Sequence, residues 1–197
     1  GNPPEHTTIV PFTRGVAGPI DYTPGIFDLE VKRYRERLIP PWKLKDGIQH
    51  PAVHTTLAKQ LAYYVVLFSP VQMAADLVEN YRGHPAFMFI RDVPLVWDEM
   101  RIMSAKVGDY VAIARRKGKD WYIGCVSDEQ SRQLQVVLTF LEKDRTYSAT
   151  IYRDAENADY ELNPTAFVIE NADYVRNDTL NIHMAAGGGL ALKLSHK

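Results

Sequence analysis

The chain has 197 residues, 46% of them hydrophobic, and a formal net charge of −1. This composition is typical of a globular protein with a packed core. Basic and acidic residues number 10 and 9 up to Val93 and 13 and 15 after it, so neither part has the basic excess that nucleic-acid binding requires. No apolar run reaches the roughly 18 residues of a membrane-spanning helix, and we expect no membrane span.

Cysteine usage and the first residue set further limits. The single cysteine, Cys125, excludes an intrachain disulfide and a cysteine zinc site, and its apolar neighbours indicate a small core residue. The sequence begins with Gly1 rather than methionine, and no secretory signal peptide follows. We therefore expect a piece of a longer protein, with any export signal upstream.

The first apolar segment is Thr7 to Phe12, whose β-branched residues predict a buried strand. Pro3 and Pro4 lack the amide donor needed to extend that strand backwards. Glu5 therefore lies where a loop meets a strand, a rigid place at which enzymes often hold a proton donor. The alternative is a solvated glutamate beside a turn.

A long loop rich in glycine and proline follows, up to about Leu29. For Val31 to Leu38 the sequence leaves a helical turn and an exposed strand equally open. Thr55 to Phe68 predicts the main helix, capped by a threonine and apolar on most sides, so other elements must cover it. Further helical segments are predicted at Val71 to Leu77 and at Pro85 to Arg91.

From residue 94 the pattern changes to short alternating runs separated by polar turns, about ten residues apart. This spacing predicts an antiparallel β-sandwich over residues 94–197. The predicted strands are Met100–Ser104, Tyr110–Arg115, Trp121–Val126, Gln133–Thr139, Tyr147–Arg153, Ala166–Glu170, Thr179–Met184 and Gly189–Leu194.

Residues 1–93 do not by themselves close a sheet, because they offer one strand, one long loop and a helix that is apolar nearly all round. These features suit the last part of a (β/α)8 barrel, in which the loop shapes the active-site face. The predicted fold is thus α/β followed by all-β. Such a barrel needs about 250 residues, so most of it would lie upstream. Alone, the chain is expected to expose its long helix and to dimerise or aggregate.

Four stretches resemble glycoside hydrolase family 97. The strings NPPEHTTIVPFTRGVAGPIDYTPGIF and HTTLAKQLAYYVVLFSPVQMAADL are similar to the late part of that family's catalytic barrel, and TYSATIYRDAENADY with AAGGGLALKL to its C-terminal β-domain. The family contains α-glucosidases and α-galactosidases. The resemblance implies a barrel active site, a calcium ion held mostly by glutamates, and export to the periplasm. It also implies that Glu5 is both the general acid and a calcium ligand.

The two roles of Glu5 require opposite protonation states of its carboxyl group. A general acid must be protonated near the glycosidic oxygen, whereas calcium stabilises the ionised carboxylate. Calcium takes six to eight oxygen ligands, so the other ligands would lie upstream. The second catalytic carboxylate would also lie upstream, so retention and inversion both stay open. His6 either orients Glu5 or contacts a sugar hydroxyl, or packs as a structural residue.

Other candidates favour structural roles. Trp42, Trp97 and Trp121, with Tyr122, could stack on sugars but more simply form core. Asp154 to Asp159 lacks the glycine and glutamate of a calcium loop and is interpreted as a solvated hairpin turn. Gly187 to Gly189 precedes a strand rather than a helix, which favours a turn over a phosphate site.

The sequence therefore predicts the C-terminal part of a periplasmic or secreted, calcium-dependent, exo-acting α-glycoside hydrolase. Its substrate would be an oligosaccharide or another α-glycoside, and the piece alone should be inactive. The alternative is a carbohydrate-binding or purely structural β-sandwich with an N-terminal helical arm.

Overall fold

The computed structural model describes residues 2–31 and 52–197. The segment Val31 to Leu38, apart from its first residue, lies outside the described residues. The chain starts with short helical pieces, α1 (His6–Ile9) and the 3-10 turns Val10–Phe12 and Arg14–Ala17.

The strand predicted over Thr7 to Phe12 is therefore wrong. The Thr7 and Thr8 hydroxyls donate hydrogen bonds to the carbonyls of Pro4 and Glu5, at 3.3 and 2.7 Å. Such local bonds offer the backbone an alternative to a sheet ladder, and they hold this segment in a tight turn of helix. β-branched composition alone could not reveal that competition.

The main helix is α2 (Leu57–Val66), whose first turn is capped by the Thr56 hydroxyl, which accepts from the Lys59 amide. This confirms the predicted helix and its threonine cap. All ten of its residues are buried within the chain itself. The expectation that the chain would expose this helix is thus wrong.

Two short helices follow, α3 (Val78–Tyr81) and α4 (Phe87–Asp92). The second confirms the prediction at Pro85 to Arg91. The helix predicted over Val71 to Leu77 is wrong, because tertiary hydrogen bonds hold this segment open. Its Met73 carbonyl accepts from the Tyr64 hydroxyl, and Asp76 Oδ2 accepts from the Phe27 and Asp28 amides.

All eight predicted strands are present, and the bounds differ by a few residues. A six-stranded antiparallel sheet has the order β1-β2-β3-β8-β5-β6, and β4 pairs with β7 in a second, two-stranded sheet. The strands are β1 (Glu99–Lys106), β2 (Tyr110–Lys117), β3 (Asp120–Ser127), β4 (Arg132–Val137), β5 (Thr146–Asp154), β6 (Phe167–Val175), β7 (Thr179–Met184) and β8 (Gly189–His196).

The central strands of the large sheet, β2, β3, β8 and β5, are mostly buried on both faces. One face packs against β4 and β7 through a core that includes Trp121, Ile123 and Leu192. The other face packs against α2 through residues that include Ile113 and Tyr122. The structure is thus a β-sandwich with a buried helix on its outer side, and the assignment of residues 1–93 to a barrel and 94–197 to a separate domain stays a prediction.

Candidate functional site

Glu5 lies immediately before α1, at its N-cap position, with φ −68° and ψ −19°. The residue is half-buried. Its carbonyl accepts hydrogen bonds from the Thr8 amide at 3.0 Å and from the Thr8 hydroxyl at 2.7 Å. The backbone that carries the Glu5 carboxylate is therefore fixed locally, even though it belongs to a helix and not to a strand.

Two side chains of α2 tie residues Pro3–Thr8, which we call the Glu5 segment, to the core. Lys59 Nζ donates to the Pro4 carbonyl at 2.8 Å, and the Thr7 hydroxyl bonds to the Tyr63 hydroxyl at 3.1 Å. Lys59 and Tyr63 are four residues apart and so lie on the same face of the helix. Both contacts are buried.

Lys59 is fully buried, with a relative exposure of 0%. Its ammonium group also donates to the Ser127 carbonyl, at the end of β3, at 2.5 Å. Burial lowers the pKa of Lys59 to about 7, against the opposing effect of four carboxylates. These carboxylates, in order of effect, belong to Asp154, Asp128, Glu5 and Glu129.

Sequence analysis did not single out Lys59. A signal was present, because it is the sole charged residue in the apolar run of α2, LAKQLAYYVV. Charged side chains are rarely fully buried unless they have partners. Its two acceptors, however, lie 55 and 68 residues away along the chain, and local sequence patterns do not predict such distant partners.

Asp154 ends β5 and is also fully buried. Its Oδ2 atom accepts from the Ala185 amide at 2.9 Å and from the Gly189 amide at 2.8 Å. Burial raises its pKa to about 6, although the nearby Thr56 hydroxyl and these two amides act in the opposite direction. Its Oδ1 atom makes no hydrogen bond of normal geometry with the described residues.

The interpretation of Asp154 to Asp159 as a solvated turn is thus wrong for Asp154 itself, which anchors the loop before β8. It holds for the other end of the segment. There Asp159 Oδ1 accepts from the Glu161 and Leu162 amides, at 2.8 and 3.0 Å, in an exposed turn.

A cavity of about 160 Å³ lies beside the Glu5 segment, which contributes two of its lining residues, Pro3 and Thr7. Glu5 is not among them. His6, the first residue of α1, is half-buried and also does not line this cavity. The lining residues include Asn2, Pro3, Thr7, Tyr22, His54 and Gln60.

The residues that the structure describes offer few groups that could bind a metal ion. Residues 2–31 and 52–197 contain no group of three or more His, Cys, Asp or Glu side chains placed to hold a metal ion. Calcium needs six to eight oxygen ligands, so Glu5 could supply only one or two of them. No helix in the described ranges is both long and apolar enough to cross a membrane.

The remaining candidates are structural, as predicted. Trp121 and Tyr122 are buried, at 2% and 4% exposure, and Trp97 packs edge-on against Tyr122 at 5.4 Å between ring centroids. Cys125 is fully buried, which raises the pKa of its thiol well above the ordinary value. Gly187 lies in the turn before β8, and Gly189 is the first residue of that strand. Trp42 lies outside the described residues.

The comparisons with known proteins agree on one family. The family model described as Glycosyl-hydrolase 97 C-terminal, oligomerisation matches residues 96–195. A retaining alpha-galactosidase from Bacteroides thetaiotaomicron is 35% identical over 196 residues, covering 96% of this chain and 27% of that protein. A probable retaining alpha-galactosidase from Streptomyces bingchenggensis is 27% identical, covering 99% of this chain and 26% of that protein.

Solved structures agree. A glycoside hydrolase family 97 enzyme from a Pseudoalteromonas species, in complex with acarbose, matches with a TM-score of 0.87 and 42% identity, covering 100% of this chain and 29% of that chain. The chain therefore spans less than a third of the length of these relatives. Because the family model covers just over half of the sequence, the chain belongs to glycoside hydrolase family 97, and residues 96–195 are that family's C-terminal domain.

Proposed function

We propose that this chain is the C-terminal part of a calcium-dependent, exo-acting α-glycoside hydrolase, in which Glu5 is the general acid. Residues 1–93 would complete a (β/α)8 barrel, and residues 94–197 would form the accessory sandwich. The full enzyme would be periplasmic or secreted.

The observation that carries this proposal is the extent of the similarity. The family model covers only residues 96–195, but the match to the Bacteroides enzyme covers 96% of the chain at 35% identity. The match to the Streptomyces protein covers 99% of the chain, so residues before the C-terminal domain, including Glu5, also resemble a glycoside hydrolase. The alternative of an isolated binding or structural sandwich does not account for that similarity.

The placement of Glu5 supports its role. Its backbone is held by Thr8 and by hydrogen bonds from α2 to its neighbours, while its side chain is half-buried. A general acid must be held near the glycosidic oxygen so that it protonates the departing oxygen as the bond breaks. A fixed backbone and a half-buried side chain support this role, because they limit the positions that the Glu5 carboxylate can take.

The second carboxylate would come from the rest of the barrel. Two relatives are described as retaining or probable retaining enzymes. For a retaining reaction, the two carboxyl groups lie about 5–5.5 Å apart, and the second carboxylate attacks the anomeric carbon. Glu5 would then act first as an acid towards the leaving oxygen and afterwards as a base towards water.

Calcium would be shared between Glu5 and oxygen ligands elsewhere in the barrel. When bound, the ion would supply positive charge that orders the carboxylates and sugar hydroxyls around the site. Its charge favours ionised Glu5, so other acidic ligands must balance it if Glu5 is also to carry a proton.

The direct test uses the full-length protein and two substrates, an aryl α-galactoside and an aryl α-glucoside. We expect hydrolysis of at least one, with a first product of retained anomeric configuration by NMR. Chelation should abolish hydrolysis and lower the melting temperature, and added calcium should restore both. No hydrolysis of either substrate would contradict the proposed function, and insensitivity of both rate and melting temperature to chelation would contradict the calcium requirement.

A second proposed function is self-association, which the description of the matched family model favours. Strand β1 is an edge of the six-stranded sheet, and its Met100 and Ile102 are 49% and 60% exposed. Beside them lies an apolar groove of about 410 Å³ that includes Phe12 and Phe68. We propose that a second copy of the chain covers this edge and groove.

A further inference from the structure

The burial of Lys59 requires an explanation beyond packing. Apart from Gln60, the other residues of α2 are apolar or aromatic, and an aliphatic side chain would fill the same space without losing the hydration of an ammonium group. That loss amounts to several kcal/mol for a buried ion unless its partners offset it. The partners here are two backbone carbonyls, those of Pro4 and Ser127.

These two carbonyls belong to two different parts of the chain, the Glu5 segment and the sandwich. Pro4 immediately precedes Glu5, and Ser127 is the last residue of β3 in the sandwich. Lys59 therefore forms a bridge of two hydrogen bonds, 2.8 and 2.5 Å long, from the sandwich to the backbone that carries Glu5. A neutral amine retains two N–H donors, so the bridge does not depend on the charge of the lysine.

The sandwich side of this bridge is itself rigid. The Ser127 hydroxyl bonds to the carbonyls of Ala185 and Gly188, at 3.0 and 3.2 Å, and the Ser127 amide donates to Gly188 at 3.0 Å. Asp154 fixes the same loop through the amides of Ala185 and Gly189. A continuous set of buried hydrogen bonds thus runs from β5 to Lys59.

We propose that Lys59 is a positioning residue for the general acid, through which the C-terminal sandwich sets the position of Glu5. This inference rests on the proposed function of Glu5. It gives the sandwich a role in catalysis in addition to the oligomerisation that the family description names. Lys59 acts through the backbone and does not touch the substrate.

Loss of the Lys59 bridge should affect glycosides differently, according to their leaving groups. Glycosides with poor leaving groups need protonation by the acid, whereas glycosyl fluorides and dinitrophenyl glycosides depend on it far less. A displaced Glu5 should therefore slow the first class selectively. A lysine with a merely structural role would instead lower the rates for both classes together.

The experiment compares Lys59→Met with the wild type in the full-length enzyme, well below both melting temperatures. We expect kcat for a poor leaving group to fall about 10²-fold, as for an ångström-scale misplacement, with a loss below about 5-fold for an activated one. Equal losses on the two substrates, or no loss on either, would overturn the proposal.

A matched control is Arg115→Met. Arg115 is also buried, at 8% exposure, and donates to α2 through the Val65 carbonyl at 2.7 Å, but it has no bond to the Glu5 segment. Loss of the Arg115 side chain should lower the melting temperature, and any loss of kcat should be the same for the two substrates. Separation of the substrates by Arg115→Met as large as that by Lys59→Met would also overturn the proposal.

Two further variants make the outcome decisive. If Lys59→Met does not fold, Thr7→Val removes the neighbouring bond to Tyr63 without adding volume, and it should slow poor leaving groups in the same selective way. Equal effects on both substrates would count against positioning.

Glu5→Gln, measured alongside, separates the proposed function of Glu5 from the positioning role of Lys59. If it shows no selectivity, the proposed function fails, whereas selectivity in Glu5→Gln but not in Lys59→Met contradicts the positioning role alone.

Discussion

Gly124 of β3 lies directly against Ala62 of α2, with no room for a side chain between them. A Cβ atom at Gly124 would lie 2.7 Å from the Ala62 carbonyl oxygen and 2.8 Å from Val65 Cβ. Gly189 of β8 makes a similar close approach, because a Cβ atom there would lie 2.7 Å from the Cα of Lys59. These two glycines let the helix lie close to the sheet, and so they set the distance that the Lys59 bridge must span.

Gly124→Ala should therefore destabilise the protein. The added methyl group meets backbone and a β-branched side chain, neither of which can move without shifting the helix, and overpacking of this kind costs about 1–3 kcal/mol. Urea unfolding of the 197-residue chain would measure the loss. Gly118→Asn is the control, because nothing lies within 4 Å of that site and asparagine tolerates its φ of +59°. A loss for Gly124→Ala no larger than that for Gly118→Asn would contradict the packing argument.

Asp154 predicts an unusual pH dependence of stability. Its pKa is raised from 3.8 to about 6 in the folded protein, so the folded state binds the proton more tightly than the unfolded state. This contribution to stability is complete below about pH 4 and is lost as the pH rises through about 6. Asp154→Asn keeps an oxygen acceptor for the Ala185 and Gly189 amides but cannot titrate.

Relative to the wild type, Asp154→Asn should thus gain stability between pH 4 and pH 7, with a slope of at most about 1.4 kcal/mol per pH unit. Unfolding curves at several pH values in this range test the prediction. The exposed Asp173, whose pKa is lowered mainly by a hydrogen bond from Lys197, provides the control through Asp173→Asn. Asp173→Asn should not gain stability relative to the wild type as the pH rises from 4 to 7. Parallel pH profiles for the wild type and Asp154→Asn would contradict the account.

The edge strand β1 gives a prediction for assembly. If a second copy covers it, Ile102→Lys should convert the full-length protein from an oligomer to a monomer, because the charge would be buried against an apolar groove. Light scattering with size-exclusion chromatography measures the mass. Val175→Lys is the control, since Val175 is 44% exposed but lies on β6, at the opposite edge of the six-stranded sheet. A wild-type monomer, or equal dissociation by both variants, would contradict this interface.

The sequence predicted the sandwich well because each strand carries its own signal. Strands such as Thr179–Met184 alternate in hydrophobicity and end at polar turns, so local pattern and final structure agree. The main helix was predictable for the same reason, with Thr56 as its cap. The position of this helix on the outer face of the sheet was not predictable, because the glycines that admit it, Gly124 and Gly189, lie at least 58 residues from it in sequence.

The site was less predictable, for physical reasons. Thr7 to Phe12 has the composition of a strand, but the hydroxyls of Thr7 and Thr8 bond to nearby carbonyls and favour a helical turn. The buried groups around it, Lys59 and Asp154, find their partners through tertiary contacts that no local pattern encodes. Resemblance to a family identified Glu5, whereas only the structure showed what holds it.

The central claim is that Glu5 gives a proton to the departing sugar oxygen. The measurement is kcat of the full-length Glu5→Gln variant on α-glycosides that differ only in leaving group, with calcium in excess and bound calcium determined. We predict a loss of about 10²–10⁴-fold for an alkyl leaving group and a much smaller one for a fluoride. A rate close to that of the wild type on the alkyl glycoside, or equal losses on both, would contradict the account.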